Sequence, residues 1–306
     1  MLEDPSTYRI ERHGVAGADV VDVGVATEGG LAAGLRLAEI TLGGRGTVQL
    51  VRSADTSLGD LAVQVVTDHP VMACLGSQYA GWPVSDADYF GMGSGPMRLL
   101  RGREPILERL ELAEDAPHAV GVIESAALPK ESTVRMMAEA CGRRPDQLTL
   151  LVAPTRSLAG TIQIVARSVE TTLHKLAELE SSLGPAPLDA VVSAAGTAPL
   201  PPPAGDDLTA IGRTNDAILY GAEVTLWVRG SLEAWKEIVP QIPSSTSKDY
   251  GSPFLDIFRR YDGDFYQIDP LLFSPARVRI EHIDSGERLE AGRVNNDLLR
   301  IAPRNA

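Results

Sequence analysis

The stretch VARSVETTLHKLAELE, Val165 to Glu180, sets an arginine and a glutamate three residues apart, Arg167 and Glu170. On a helix of about 3.6 residues per turn the two lie roughly 60° apart around the axis, close enough to meet. A carboxylate held beside a guanidinium stays ionised and oriented, and shelter from water makes it a stronger base. The chemistry this suits is removal of a proton from water. The ordinary alternative is an exposed ion pair contributing roughly a few tenths of a kcal/mol. Two features weigh against that alternative. Arginine before glutamate is the less favourable order for a helix-stabilising pair, and Ile164 lies off the apolar stripe, so more than one side of the helix is covered. His174 continues the polar stripe, and it reads equally well as a surface or hydrogen-bonded histidine.

The element that must position this pair is a long helix. From Ser157 to Glu180 the 3.6 period puts Leu158, Ile162, Val165, Val169, Leu173, Leu176 and Leu179 on one face, with Gln163, Arg167, Glu170 and His174 opposite. Upstream, ADVVDVGVA (18–26), TVQLVRS (47–53) and LAVQVVTD read as strands, with a helix over GLRLAEITLGG. Three helix-then-strand units follow: ILERLEL with HAVGVIES, STVRMMAEACG with QLTLLVAP, and the long helix with DAVVSAAG. Such alternation predicts an α/β fold. AILYGAEVTLWVRG and VRIEHIDSGERLEAGR return to strand and hairpin patterns. The glycine-dense 68–96 reads as ordered loop. Taking GSGP and the proline run 201–203 as boundary marks gives two domains, 1–94 plus 206–306 and an inserted α/β domain 95–205.

Composition narrows the partners. A formal net charge of −13 argues against a nucleic-acid surface, which needs an excess of Lys and Arg. No apolar run approaches the roughly 20 residues that span a bilayer, so no membrane partner is expected. The N-terminal MLEDPSTYRIERHG has neither the basic nor the apolar region of an export signal, which predicts the cytoplasm. The two cysteines, Cys74 and Cys141, sit among small and apolar residues and read as buried thiols. Histidines are scattered without HExxH or CxxC spacing, which disfavours a zinc hydrolase, and no phosphate loop or nucleophile elbow is present. GMGSGP and LGGRG read as ordinary loop glycines. Three loops remain as ligand candidates. CLGSQYAGW sets Tyr79 and Trp82 on glycine hinges and suits a planar ligand, although a well-packed turn explains it equally well. PSSTSKDYG offers Ser244, Ser245, Thr246 and Lys248, although capping of the next helix explains its serines equally well. Asn215 and Asp216 read most simply as a turn ahead of a strand.

GSQYAGW, LVAPTRSLAGTIQIVARSVETTLHK, GRTNDAILYG, PSSTSKDYGSPF and FYQIDPLLFSPA, in this order across nearly the whole chain, resemble the signature blocks of methenyltetrahydromethanopterin cyclohydrolase. The resemblance implies an enzyme of pterin one-carbon chemistry, in which water adds to the methenyl carbon of a cationic ring that opens to the N5-formyl product. It implies a homotrimer of two-domain α/β subunits that hold the tetrahydromethanopterin carrier, or its dephospho form, between the domains, without metal or other cofactor. It assigns catalysis to Arg167 and Glu170 and substrate binding to Ser77, Gln78 and Tyr79. The blocks holding Asn215, Asp216, Ser245 and Lys248 make these four further binding candidates. The chain starts shortly before the first strand of the family pattern, so an N-terminal helix usual there is expected to be short or missing. A non-catalytic pterin-binding homologue on the same scaffold is the alternative.

Overall fold

AVGVIE and LTLLVA are nearly free of polar residues, the pattern of strands covered on both faces, whereas RVRIEH alternates, the pattern of a sheet with one face open. The computed structural model describes residues 1–53, 59–86, 88–183 and 188–301, with backbone alone for 181–183. Its strands are β1 (Glu11–Val15), β2 (Ala18–Asp22), β3 (Thr47–Arg52), β4 (Leu61–Thr67), β5 (Trp82–Asp86), β6 (Tyr89–Ser94), β7 (Ala119–Glu124), β8 (Leu148–Ala153), β9 (Val191–Pro199), β10 (Glu223–Val228), β11 (Arg277–His282) and β12 (Arg288–Gly292). They form two six-stranded mixed sheets, ordered β1-β2-β8-β7-β6-β5 and β12-β11-β10-β9-β4-β3. The fold is therefore α/β in two units, Met1–Arg45 with Met72–Ile164, and Gly46–Val71 with Val165–Ala306.

In the first unit β2, β8 and β7 are parallel neighbours. Their successive residues feed opposite cores. Val20, Leu150 and Ile123 pack with Val134, Met137 and Ala138 of the Glu131–Ala140 helix. Val21, Leu151 and Val122 pack with Ala33 and Leu37 of the Leu31–Thr41 helix and with Ala159. Both faces are thus covered, as the apolar runs require.

In the second unit, neighbouring strands are antiparallel except β10 with β11. Val224, Leu226, Val278 and Ile280 are buried. The intervening residues carry an ion ladder, Arg277 to Glu223 and Glu290 at 2.7 Å each, Arg279 to Glu290 at 3.1 Å and Arg288 to Glu281 at 2.7 Å.

Four segments depart from their sequence patterns. The borders between units fall near 45, 71 and 164, not at 94/95 and 205/206, because Gly93–Pro96 and Pro201–Pro203 end individual elements while membership of a sheet is decided by distant pairing. The segment 68–96, which reads as loop, holds a π-helix at Val71–Gln78 and the β5–β6 hairpin, so the glycines of GMGSG lie mostly within β6. Asn215 and Asp216, expected in a turn before a strand, lie inside the Asp207–Gly221 helix, where AILYG forms the last turn and only EVTLWV is strand. The long helix is two helices, Leu158–Val165 and Ser168–Leu183, separated at Ala166 and Arg167. Its apolar stripe runs at unbroken three- and four-residue spacing across the break and so conceals it, and Leu158, expected in the core, is exposed.

Candidate active site

The break sets Arg167 and Glu170 at a helix start rather than in its middle. The Arg167 carbonyl accepts the Thr171 N–H at 2.9 Å, which makes Arg167 the capping residue, and Glu170 lies in the first turn of Ser168–Leu183. The unpaired N–H groups and dipole of a helix start favour a negative charge there, so the carboxylate gains support that mid-helix placement would deny it. Arg167 and Glu170 are only 7% and 4% exposed, which excludes the reading as a solvated surface pair. What lets this turn lie against the sheet is Gly196. It lies on β9 between Val65 and Val224, and a Cβ there would stand 2.4 Å from Ser168 Oγ. Only glycine lets helix and strand come so close. Val169, Leu173 and Leu176 are buried as the stripe predicts. His174 is mostly covered, with Nε2 3.8 Å from Glu178 Oε1.

Of the other candidates in the second unit, Asn215 and Asp216 each make a hydrogen bond within the fold. Asn215 Nδ2 donates to the Ile211 carbonyl of its own helix at 2.8 Å. Asp216 Oδ1 accepts the N–H of Phe254, the first residue of the Phe254–Arg260 helix, at 2.8 Å, and burial pushes its carboxyl up to about 7. Ser245 and Lys248 are exposed on the loop around the short 3₁₀ turn Ser244–Thr246. Asp269 fastens that loop, accepting from Ser247 Oγ at 2.7 Å and from the Lys248 N–H at 3.2 Å. Lys175, which nothing in its position on the stripe singles out, is wholly buried. Its Nζ donates to Thr246 Oγ1 at 3.0 Å and to the Leu271 carbonyl at 2.5 Å. Burial pulls this amine down to about 8, against the opposing influence of Asp269.

In the first unit Ser77, Gln78 and Tyr79 stand at the C-terminal end of the π-helix, where the Tyr79 N–H bonds the Cys74 carbonyl five residues back at 2.8 Å. π-Turns of this kind recur at functional sites. Ser77 Oγ donates to the Thr41 carbonyl at 2.6 Å, and Gln78 Nε2 to Thr41 Oγ1 at 3.3 Å, so both side chains tie the segment to the end of the Leu31–Thr41 helix. Both are fully buried, and Tyr79 is half-buried. Among the described residues no group of three or more His, Cys, Asp or Glu is arranged to hold a metal ion.

A family model described as Cyclohydrolase (MCH) matches residues 1–302. The chain belongs to this cyclohydrolase family. It is 52% identical over 291 residues to the methenyltetrahydromethanopterin cyclohydrolase of Rhodopirellula baltica, covering 94% of this chain and 86% of the relative. The protein of the same name from Methylobacillus flagellatus is 45% identical, with 93% and 85% covered, and that from Methanococcoides burtonii 40%, with 92% and 88%. Similarity to the family thus extends over both units, including the helix start with Arg167 and Glu170 and the π-helix ending in Ser77–Tyr79. Among the described residues no helix is long and apolar enough to cross a membrane.

Proposed function

We propose that this protein catalyses the reversible hydrolysis of 5,10-methenyltetrahydromethanopterin, or its dephospho form, to the N5-formyl compound, with Glu170 as general base. Family membership supports the reaction, and the observation that carries the role of Glu170 is its burial in the first turn of a helix directly after Arg167. The methenyl carbon is already electrophilic, because its ring is a cation. Glu170 takes a proton as water adds to that carbon, and a neutral hydroxylated ring results. The bond from that carbon to N10 then breaks, N10 receives the proton held by Glu170, and the hydroxyl loses its proton as it becomes the formyl carbonyl. One proton is released overall, which balances the lost positive charge. Arg167 holds the water and keeps Glu170 ionised.

Tyr79 offers a ring for the planar pterin to stack on, and the Ser77–Gln78 backbone offers close polar contacts. Asn215, Asp216, Ser245 and Lys248 complete the binding candidates, of which the exposed Ser245 and Lys248 are the better placed to meet a polar tail of the substrate. The reaction as written uses no metal or other cofactor. A homotrimer in the cytoplasm is the form in which we expect the enzyme to work.

The decisive measurement is loss of methenyl absorbance on mixing with enzyme, run on both pterin forms. In Glu170→Gln, turnover should fall by about 10²- to 10⁴-fold with the circular dichroism spectrum and melting temperature retained. Undiminished turnover in that variant would remove Glu170 from the mechanism. Tight binding of the pterin by the unaltered protein with no absorbance loss would replace catalysis by carriage.

A further inference from the structure

The end of a π-helix leaves backbone carbonyls without partners in the helix, and the Ser77–Tyr79 segment stands at such an end. One buried side chain takes these carbonyls. Arg98, in the short Met97–Arg101 helix, is fully buried, and its Nη1 donates to three successive carbonyls, those of Leu75 at 3.0 Å, Gly76 at 3.1 Å and Ser77 at 3.3 Å. The other edge of the guanidinium is held by Glu104. Nε lies 2.9 Å from Oε1 and 3.1 Å from Oε2, and Nη2 donates to Oε2 as well. Glu104 is itself fixed, since its carbonyl accepts the Leu107 and Glu108 N–H groups that begin the Pro105–Arg109 helix. The Tyr79 ring covers the face of the guanidinium, with its centroid 5.1 Å from Cζ. The fit leaves no slack, because a Cβ on Gly81 would stand 2.0 Å from Glu104 Oε2 and 2.7 Å from the Tyr79 ring.

We infer that Arg98, locked by Glu104, is a positioning residue of the cyclohydrolase site: it sets the path of the Ser77–Tyr79 backbone and the seat of the Tyr79 ring, and through them the affinity for the pterin, without touching it. This rests on the function proposed above, in which that segment binds substrate. The planar fork matters as much as the charge. A guanidinium can bond a carboxylate along one edge and a row of carbonyls along the other, while an ammonium cannot do both. A purely structural role would leave substrate affinity alone once the protein has folded.

The test is a double-mutant cycle on the full-length protein with Arg98→Lys and Tyr79→Leu, read as KM and kcat for loss of methenyl absorbance. Arg98→Lys should raise KM by about tenfold or more while kcat falls by less than about threefold, because a misplaced binding group weakens substrate capture before it alters the reacting atoms. In the Tyr79→Leu background the same substitution should raise KM by several-fold less, since the ring it seats is gone. KM effects that simply multiply, or a lowered melting temperature with KM unchanged, would reduce Arg98 to a structural residue. If Arg98→Lys does not fold, Glu104→Gln takes its place in the cycle, being of equal size and keeping an acceptor. Turnover in the unaltered protein with multiplying effects overturns this inference alone; no turnover in the unaltered protein overturns the underlying reading with it.

Discussion

Among the described residues two cations, Arg98 and Lys175, are fully buried, and they are stabilised in opposite ways. Arg98 of the first unit has a carboxylate on one edge and three carbonyls on the other. Lys175 of the second unit has a hydroxyl and a carbonyl, and among the described residues no carboxylate stands within ion-pairing distance of its Nζ. The contrast shows how a buried charge can be kept. A guanidinium satisfied on both edges is fixed in place. An ammonium given only neutral acceptors pays a desolvation penalty, which appears as an amine drawn down to about 8. Each cation fastens a segment that carries binding candidates, Arg98 the Ser77–Tyr79 backbone and Lys175 the loop with Ser245 and Lys248. The Lys175 fastening should respond to changes of pH.

Removing Arg98 should have the largest effect. Arg98→Met leaves the buried Glu104 with only the more distant Arg101, 3.9 Å away, and should cost roughly 3–5 kcal/mol in urea unfolding followed by circular dichroism. A loss under about 1 kcal/mol would mean that the pair is not held as described.

Asp216, a buried anion with a single backbone donor, extends the comparison to the opposite charge. Its folded value of about 7 lies above the ordinary 3.8, so the native state holds its proton more tightly. The penalty is therefore absent below pH 3.8, grows between 3.8 and 7, and is complete above 7. Asp216→Asn retains the acceptor for the Phe254 N–H and should stabilise the protein by about 1–2 kcal/mol at pH 8 while changing little at pH 4. Melting curves at the two pH values check this, and equal shifts at both would contradict it.

Lys175→Met should have the smallest effect near neutral pH, costing no more than about 1.5 kcal/mol, because the lost hydrogen bonds are offset by relief from burying a charge. Its size changes with pH in a defined window. The folded value of about 8 lies below the ordinary 10.5, so below pH 8 the native state carries the full cost of the charge, and between 8 and 10.5 that cost disappears while the unfolded chain is still protonated. The stability of the unaltered protein relative to Lys175→Met should therefore rise as pH increases from 8 to 10.5. A flat difference across that range would show that Lys175 is not desolvated in the folded state.

Legibility differed between elements for physical reasons. β3, β4, β7, β8 and β9, and the Leu31–Thr41 and Glu131–Ala140 helices, announce themselves, because a period of two, a short unbroken apolar run or a helical stripe is a local property of residue order. Asp216 misleads, since Asn-Asp is good turn chemistry and only the packing of Asp207–Gly221 against Phe254–Arg260 makes it an internal cap for a second helix. The π-helix leaves no periodic trace. Its eight residues carry a glycine and a mixture of small and apolar side chains that a loop would carry as well. Arg98 and Glu104 are six residues apart, and nothing in GPMRLLRGREP tells a buried fork from two surface charges.

The sequence by itself determined the α/β alternation, the apolar stripe behind Glu170, and the blocks by which the family is known, because these are properties of residue order and period. Only the tertiary structure decided that the stripe is broken at Ala166–Arg167, that Glu170 therefore stands at a positive helix start, and that Arg98 and Lys175 are interior charges. Periodicity describes which side of one segment is apolar. Whether a charge is buried, and what compensates it there, depends on the segments that fold against it.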